Sequence, residues 1–341
     1  MNGNVLLICG SLNQTTIMHQ ISRHLRGYEC YFAPFYSDGL IDLMARNGLL
    51  NRTILGGQHL ESCIAYLEKE NLAIDWRGEG CVYDLVITCT DLLLQHNIRG
   101  KRLILVQEGM IDPEGLLYGL VRDLKLPRFL ANTAATGLSD GYDLFCVASN
   151  GYRDLFVRKG VRPEKIRVTG IPNFDDARKY VENDFPFQDY VLVATSSNRE
   201  SLKPENRKLF LETVKKRAKN QRVIFKLHPN ENRGRAIREI RQEFPDSLIY
   251  TEGDILPMIA NCRLLVTHSS SVVFPAVALG KEVISSLDLN EIRHLLPIQN
   301  QGRSAERIAK YCRDLMLTPR VVHNVKRPTM QWRIEDVLRN F

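Results

Sequence analysis

Three short apolar runs between residues 222 and 286 constrain the fold more than any other part of the chain. They cover residues 222–227, 263–267 and 282–285, and an apolar helical pattern that ends at Gly280 separates the last two. Apolar runs that alternate with polar turns and helices are typical of strands buried on both faces of a parallel sheet. The stretch therefore predicts βαβ units.

Polar residues follow the first two runs, at the points where the predicted strands end. Ligands of parallel sheets collect at the carboxyl ends of the strands, where helix amino-termini and serine hydroxyls can bind an anion. We therefore expect a phosphate-bearing ligand here. Two simpler interpretations stay open: one serine acts only as a helix N-cap, and the histidine after the first run is an ordinary strand-end residue. The predicted binding residues are His228, Pro229, His268, Ser269, Ser270 and Ser271.

The beginning of the chain repeats the pattern of strand, polar turn and helix. Residues 4–10 form an apolar run that ends in glycine, and a helical pattern follows the next polar residues. The G-x-G-x-x-G fingerprint of dinucleotide sites is absent, so an NAD site is not predicted. We expect the polar turn to line the wall of a cleft opposite the phosphate site. Its residues are Gly10, Ser11, Asn13, Gln14 and Thr15.

Glu108 is the candidate general base. It follows the apolar run at residues 101–106 and precedes Gly109, which we assign to the acceptor side of the cleft. A carboxylate at a strand end that faces a cleft is well placed to remove a proton from a substrate. A purely structural role, as a helix-capping or ion-paired glutamate, is the alternative.

The alternation of strands and helices extends to residue 173 and resumes at residue 190. It predicts the α/β class with two Rossmann-like domains, at residues 1–173 and 190–341, joined by a charged linker at residues 174–189. The second domain is expected to end in a helix at residues 328–340. The residues expected to border a nucleotide are Ser196, Ser197, Asn198, Thr251 and Glu252.

Composition and cysteine spacing indicate a soluble cytoplasmic protein. Hydrophobic residues make up 44% of the chain and charged residues 25%, and no run approaches the ~18 apolar residues of a spanning helix. The start of the sequence lacks the pattern of a signal peptide. The eight cysteines are scattered without a C-x-x-C pair, so we predict reduced thiols and no zinc site.

The net charge of +7 bears on the kind of partner. The basic residues are spread along the chain without a stripe interleaved with aromatic residues, so nucleic-acid binding is not predicted. A basic balance is also compatible with peripheral contact to an anionic membrane surface. The sequence leaves that contact and the oligomeric state open.

With these motifs in view, the chain resembles the GT-B glycosyltransferase superfamily. The order of landmarks is similar to that of the non-hydrolysing UDP-N-acetylglucosamine 2-epimerases, including residues 151–172, the turn at residues 196–201, and His228-Pro229-Asn230. The segment at residues 268–275 has serines where those epimerases have acidic residues. There the chain looks more like the CDP-glycerol glycerophosphotransferases and the bacterial sialyl- or Kdo-transferases, which combine a serine pair with a His-Pro motif.

The resemblance implies a two-domain GT-B enzyme that uses a nucleotide-activated donor linked to CMP, CDP or UDP. The leading hypothesis is transfer of a sugar or polyol phosphate to a hydroxyl of a carbohydrate or lipid-linked acceptor, in the synthesis of a surface polysaccharide or glycoconjugate. Glu108 would act as the base, His228 and the 269–271 segment would stabilise the leaving phosphate, and no metal or other cofactor would take part. The alternatives are a nucleotide-sugar 2-epimerase and a non-catalytic nucleotide-sugar-binding protein.

Overall fold

Two fully parallel β-sheets organise the chain. The computed structural model describes residues 3–39, 42, 47, 56–124, 126–200, 205–219 and 221–319. Each strand that the apolar runs predict is present in the structure. Most of the strands are one or two residues shorter at an end than the predicted runs. The predicted α/β architecture with two Rossmann-like sheets is confirmed.

The first sheet has six strands in the order β2-β1-β3-β4-β5-β6. Every pair is parallel, and β1 forms the centre of one half by pairing with both β2 and β3. The strands are β1 (Asn4–Ile8), β2 (Glu29–Ala33), β3 (Leu85–Thr88), β4 (Leu103–Val106), β5 (Leu144–Val147) and β6 (Ile166–Val168).

The second sheet has five strands in the order β11-β10-β7-β8-β9, again all parallel. β7, the first strand of this sheet along the chain, lies at its centre between β8 and β10. The carboxyl ends of these three parallel strands therefore lie next to one another. The strands are β7 (Val191–Ala194), β8 (Val223–Lys226), β9 (Leu248–Tyr250), β10 (Leu264–Thr267) and β11 (Glu282–Ile284).

Ten described α-helices connect and cover the strands. Most cross from the end of one strand to the start of the next, as parallel pairing requires. They are α1 (Leu12–Ser22), α2 (Gly57–Lys69), α3 (Leu116–Asp123), α4 (Asn150–Arg158), α5 (Arg207–Ala218), α6 (Arg233–Glu243), α7 (Ile255–Asn261), α8 (Val273–Ala278), α9 (Leu289–Leu295) and α10 (Ser304–Leu317).

The hydrophobic core explains why the strands were readable from the sequence. All residues of β3, β4, β7 and β10 are buried, so these strands are continuous apolar runs rather than alternating ones. One cluster of buried side chains is continuous between the two sheets and includes Tyr152 from the first half and Phe274 from the second. The rings of these two residues meet edge to face, 6.4 Å apart.

The last described helix belongs spatially to the first sheet. α10 packs against α1, and Arg313 donates to the carbonyl of His24 at 2.6 Å. The predicted linker contains a short 3₁₀ helix, Ala177–Tyr180. The predicted terminal helix at residues 328–340 lies outside the described residues, and the exact domain boundaries stay a prediction. In the described ranges no helix is long and apolar enough to cross a membrane.

Candidate functional site

Glu108 lies just beyond the carboxyl end of β4 and is held by the turn between β1 and α1. Ser11 donates to Glu108 Oε1 at 2.9 Å, Asn13 donates to the same oxygen at 3.1 Å, and Gln14 donates to Oε2 at 2.6 Å. Both carboxylate oxygens are therefore oriented by neutral donors, and none of these three bonds comes from a cation. The structure thus brings together the predicted base and three of the predicted wall residues.

Gln107 holds the backbone that presents Glu108. Its side chain is almost fully buried, accepts from the amide of Ala148 at 2.9 Å and donates to the carbonyl of Gly109 at 2.8 Å. An amide can accept and donate at once, whereas a carboxylate at this position would have no proton for the Gly109 carbonyl. Gln107 therefore has a structural role, because it holds the backbone on both sides of Glu108 in place.

Asn173 anchors the same turn from the other side, a contact that the sequence did not reveal. It donates to Asn13 Oδ1 at 2.6 Å and to the hydroxyl of Thr16 at 2.9 Å, and it accepts from Gln20 at 2.6 Å. Asn173 directly precedes the predicted linker at residues 174–189. The path of the chain between the two sheets is thereby tied to the side chain that orients Glu108.

Two of the predicted wall residues act through packing rather than by facing the cleft. Thr15 is fully buried and bonds the carbonyl of Ser11 and the thiol of Cys63, so its hydroxyl points into the interior. At Gly10, an added Cβ would come within 2.4 Å of Gln14 Oε1. Gly10 therefore leaves the space that Gln14 needs to reach Glu108.

His228 begins the turn after β8 and is fixed at both its backbone and its ring. Its amide donates to the hydroxyl of Thr195 at 3.0 Å, and its Nδ1 accepts from the amide of Asn230 at 3.1 Å. The neutral ring therefore carries its proton on Nε2. Burial, and secondarily the nearby ammonium of Lys226, lower the pKa of His228, so the free protein holds this ring neutral at neutral pH.

A buried network of charges lies directly behind this turn. Glu231 is fully buried, bonds the hydroxyl of Thr195 at 2.5 Å and pairs with Arg207, whose side chain is 6% exposed. Arg207 also pairs with Glu205 at 2.9 Å, and Arg199 pairs with Glu239 at 2.8 Å. Burial raises the pKa of Glu231, while Thr195 and Arg207 oppose that shift. The network fixes Thr195 and, through it, the amide of His228.

The serine segment after β10 is shaped mainly by its backbone. α8 begins after Val272, which has no side-chain cap, and the Ser270 hydroxyl only reaches the Val272 amide at 3.5 Å. The serines therefore precede α8 in a turn, and both the helix-cap and the ligand interpretation of them stay open. Ser285, at 2.6 Å, and Ser286, at 2.8 Å, donate instead to the carbonyl of His268.

The remaining nucleotide-border predictions fall into separate environments. The Ser196 hydroxyl donates to Glu205 and so belongs to the buried network, while Glu252 is largely exposed and pairs with Arg233 at 3.3 Å. Among the described residues, neither side chain bonds to a residue of the serine segment at 269–271. The predicted binding residues whose side chains show no hydrogen bond in the described structure are Ser197, Asn198, Thr251, Ser269 and Ser271. Their assignment as binding residues stays a prediction.

The two halves meet where the predicted site lies. His59, in the first turn of α2, lies 3.3 Å from the side-chain amide of Asn230, in the turn that His228 begins. Phe174 approaches Gly109 from the linker and packs edge to face with Phe274 of α8. Phe174 therefore links the Glu108 turn to α8, and His59 links α2 of the first half to the His228 turn. In the part of the chain that the structure describes, no group of three or more potential ligands is placed to hold a metal ion.

These features define the class of the protein. Two parallel sheets with helices that connect and cover their strands form the GT-B fold. The model of the UDP-N-acetylglucosamine 2-epimerase family matches residues 137–312, about half of the chain. The chain belongs to the UDP-N-acetylglucosamine 2-epimerase family, a family of nucleotide-sugar enzymes.

Solved structures agree with that assignment at the level of the fold. A Neisseria meningitidis UDP-GlcNAc 2-epimerase bound to UDP-GlcNAc is 12% identical, with a TM-score of 0.56, and the match covers 91% of this chain and 100% of that one. A Methanocaldococcus jannaschii UDP-GlcNAc 2-epimerase in complex with UDP-GlcNAc and UDP is 14% identical, with a TM-score of 0.54 and coverage of 91% and 99%. The S. aureus MnaA–UDP structure is 12% identical, with a TM-score of 0.54, and the match covers 92% of this chain and 88% of that one. A comparison with curated proteins found no match.

Proposed function

We propose that the protein binds a UDP-linked hexosamine in the cleft and inverts the sugar at C2. The observation that carries this proposal is the Glu108 carboxylate, held by Ser11, Asn13 and Gln14 at the carboxyl edge of the first sheet. Membership of the epimerase family and the UDP-GlcNAc in two structurally similar proteins support the choice of substrate.

Glu108 is the group that we assign to proton removal. Its two oxygens are oriented before substrate arrives, so a C–H bond brought to it meets a positioned base rather than one that must first reorganise. His228 lies on the opposite edge with a proton on Nε2. We assign it to the phosphate side of the substrate, where a hydrogen-bond donor stabilises negative charge.

Transfer of the sugar to an acceptor hydroxyl is the second candidate function. The observation in its favour is the segment from His268 to Ser271, which offers hydroxyls and no carboxylate. Inversion at a carbon needs one group to remove a proton and another to return it on the opposite face, whereas deprotonation of an acceptor needs a single base. In this second function Glu108 would deprotonate the acceptor.

One experiment distinguishes the two functions. The protein is incubated with UDP-GlcNAc in D₂O, with and without added sugar acceptors, and the reaction is followed by proton NMR and by assay of free UDP. Epimerisation predicts an epimeric UDP-sugar with deuterium at C2 and no need for an acceptor. UDP release that depends on an acceptor would instead establish transfer.

The base assignment is tested in the same assay with Glu108→Gln. Loss of a positioned general base is expected to lower kcat by about 10²- to 10⁴-fold. Glu243→Gln is the matched control, because Glu243 is a partly exposed glutamate whose one ion pair among the described residues is with the exposed Lys215. Near-normal turnover of Glu108→Gln would exclude Glu108 as the base, and the absence of either reaction in the wild-type protein would overturn the proposed function.

A further inference from the structure

Lys226 is a buried lysine for which the described residues supply no ion-pair partner. It is the last residue of β8, and it is only 6% exposed. Its ammonium donates one hydrogen bond, to the carbonyl of Leu227 at 3.2 Å. In the described structure no carboxylate lies within ion-pair distance of it, and lysine is almost never buried unless it is paired.

The position of Lys226 places it at the ligand edge of the second sheet. Its side chain projects on the same side of β8 as Ile224, because side chains alternate along a strand. Ile224 belongs to the buried cluster that is continuous with the first sheet, whereas Val223 and Phe225 belong to the separate cluster on the other side. Lys226 therefore lies on the side of β8 that is shared with the first half of the protein, two residues before His228.

The surrounding charges do not neutralise this ammonium. Burial is the main cause that lowers the pKa of Lys226, and the nearby guanidinium of Arg233 lowers it further. Asp254 and Glu252 oppose the shift, but neither reaches ion-pair distance, and Glu252 is already paired with Arg233. Because exposed ion pairs contribute little to stability, the side chains of Arg233 and Glu252 can separate easily.

A buried cation with one neutral acceptor lowers the stability of the free protein. The fold does not require a lysine at this position, since the preceding residues of β8 are apolar and the neighbouring strand β7 is apolar along its whole length. An ammonium has three N–H donors, and the Leu227 carbonyl accepts only one of them. An anion that binds at the strand ends would supply the missing charge and the missing acceptors.

We propose that Lys226 is a binding residue for the diphosphate of the nucleotide-linked substrate, beside His228. The inference rests on the proposed function, because it takes a nucleoside diphosphate to be the ligand of this edge. The ammonium would bind non-bridging phosphate oxygens, and His228 would donate from Nε2 on the same side. No bond is made or broken in this step.

The test compares binding of UDP and uridine by the wild-type protein, Lys226→Met and the control Lys216→Met. Methionine keeps the length of the side chain and removes its charge, and Lys216 is an exposed lysine of α5. Lys226→Met is expected to bind UDP about 10- to 100-fold more weakly, because charge-assisted hydrogen bonds to phosphate are strong. Its affinity for uridine, which has no phosphate, should not change. The ligand-free variant should melt at the same or a higher temperature than the wild-type protein.

The outcomes separate this inference from the proposed function. If the wild-type protein binds neither UDP nor UDP-GlcNAc, the proposed function fails. If the wild-type protein binds UDP and Lys226→Met binds it within about twofold, the Lys226 assignment fails while the function stands. Equal weakening for UDP and uridine, or a lower melting temperature of the ligand-free variant, would show that Lys226 only maintains the structure, and would also overturn the inference.

Discussion

Arg207 provides the most demanding test of the buried charge network. Its side chain is 6% exposed and is in contact with Glu231 and Glu205, whose side chains are 0% and 2% exposed. Arg207→Met removes the cation and leaves two buried carboxylates with one partly exposed arginine, Arg199, nearby. Breaking a buried ion pair from one side costs about 3–5 kcal/mol. At about 2–4 °C per kcal/mol for a domain of this size, the melting temperature should fall by roughly 6–20 °C.

The stability that Arg207→Met loses should depend on pH, and the direction of that dependence follows from the pKa of Glu231. The pKa of Glu231 is already raised in the folded protein, and loss of Arg207 removes an interaction that opposes that shift. An acid whose pKa is raised in the folded state lowers stability as the pH rises from its unfolded-state pKa, about 4.3 for glutamate, to its folded-state pKa, because the unfolded state ionises more easily over that range. The deficit of Arg207→Met should therefore be largest at pH 8 and smaller at pH 5.

Urea unfolding followed by circular dichroism between pH 5 and pH 8 measures both quantities. Arg217→Met is the control, because Arg217 is an exposed residue of the same helix, and its change should stay within about 0.5 kcal/mol. Adding Glu231→Gln to Arg207→Met should recover part of the lost stability, since one unpaired charge is removed. A deficit below about 1 kcal/mol at pH 8, or one that does not vary with pH, would refute the interpretation of this network.

Two further predictions concern the edges of the cleft. Gly10→Ala should lower kcat about 10-fold or more, because the added Cβ would come within 2.4 Å of Gln14 Oε1 and displace a side chain that orients Glu108. The Cβ would also lie 3.3 Å from the buried ring of Tyr36, so a stability loss of about 1–3 kcal/mol is expected. Kinetics and melting curves together check this, and an unchanged kcat would contradict it. Because the pKa of His228 is lowered in the folded protein, its contribution to stability is fully present above the unfolded-state pKa of about 6.5 and declines as the pH falls towards the folded-state pKa. His228→Ala should therefore reduce the slope of the free energy of unfolding against pH between pH 7.5 and pH 5.5. An identical slope for the variant and the wild-type protein in unfolding experiments would exclude the assigned charge state.

The strands were predictable from the sequence because both of their faces are buried. β4 and β7 consist entirely of buried residues and therefore stand out as short uninterrupted apolar runs. Glu108 was found for a related reason, since a polar residue directly after such a run must lie at the edge of the sheet. The wall residues Ser11, Asn13 and Gln14 follow β1 in the same way, and the parallel order β1-β3-β4 brings both turns to one edge.

The parts that the sequence did not reveal depend on contacts between distant residues. Asn173 reaches Asn13 across 160 positions, and no local pattern indicates that contact. Arg207 and Glu231 have the ordinary appearance of surface residues of a helix and a turn, and only the packing of α5 behind β7 and β8 buries them together. Three consecutive serines give no local reason to choose among a cap, a ligand and a turn. The start of α8 after Val272, which places all three before the helix, could not be predicted from them.

The return of α10 to the first sheet has a mechanical consequence. The chain passes from the first half to the second between β6 and β7, and it passes back before α10, where the Ser304 amide is held by Asp175 at 2.8 Å and the Ile298 amide by Ala148 at 3.0 Å. The two crossings lie side by side, because the Asn300 amide donates to the carbonyl of Asp175 at 2.9 Å and the Gln299 side chain donates to the carbonyl of Phe174 at 2.6 Å. A single cut in the linker would leave the second connection and α10 in place, and the two halves would stay assembled.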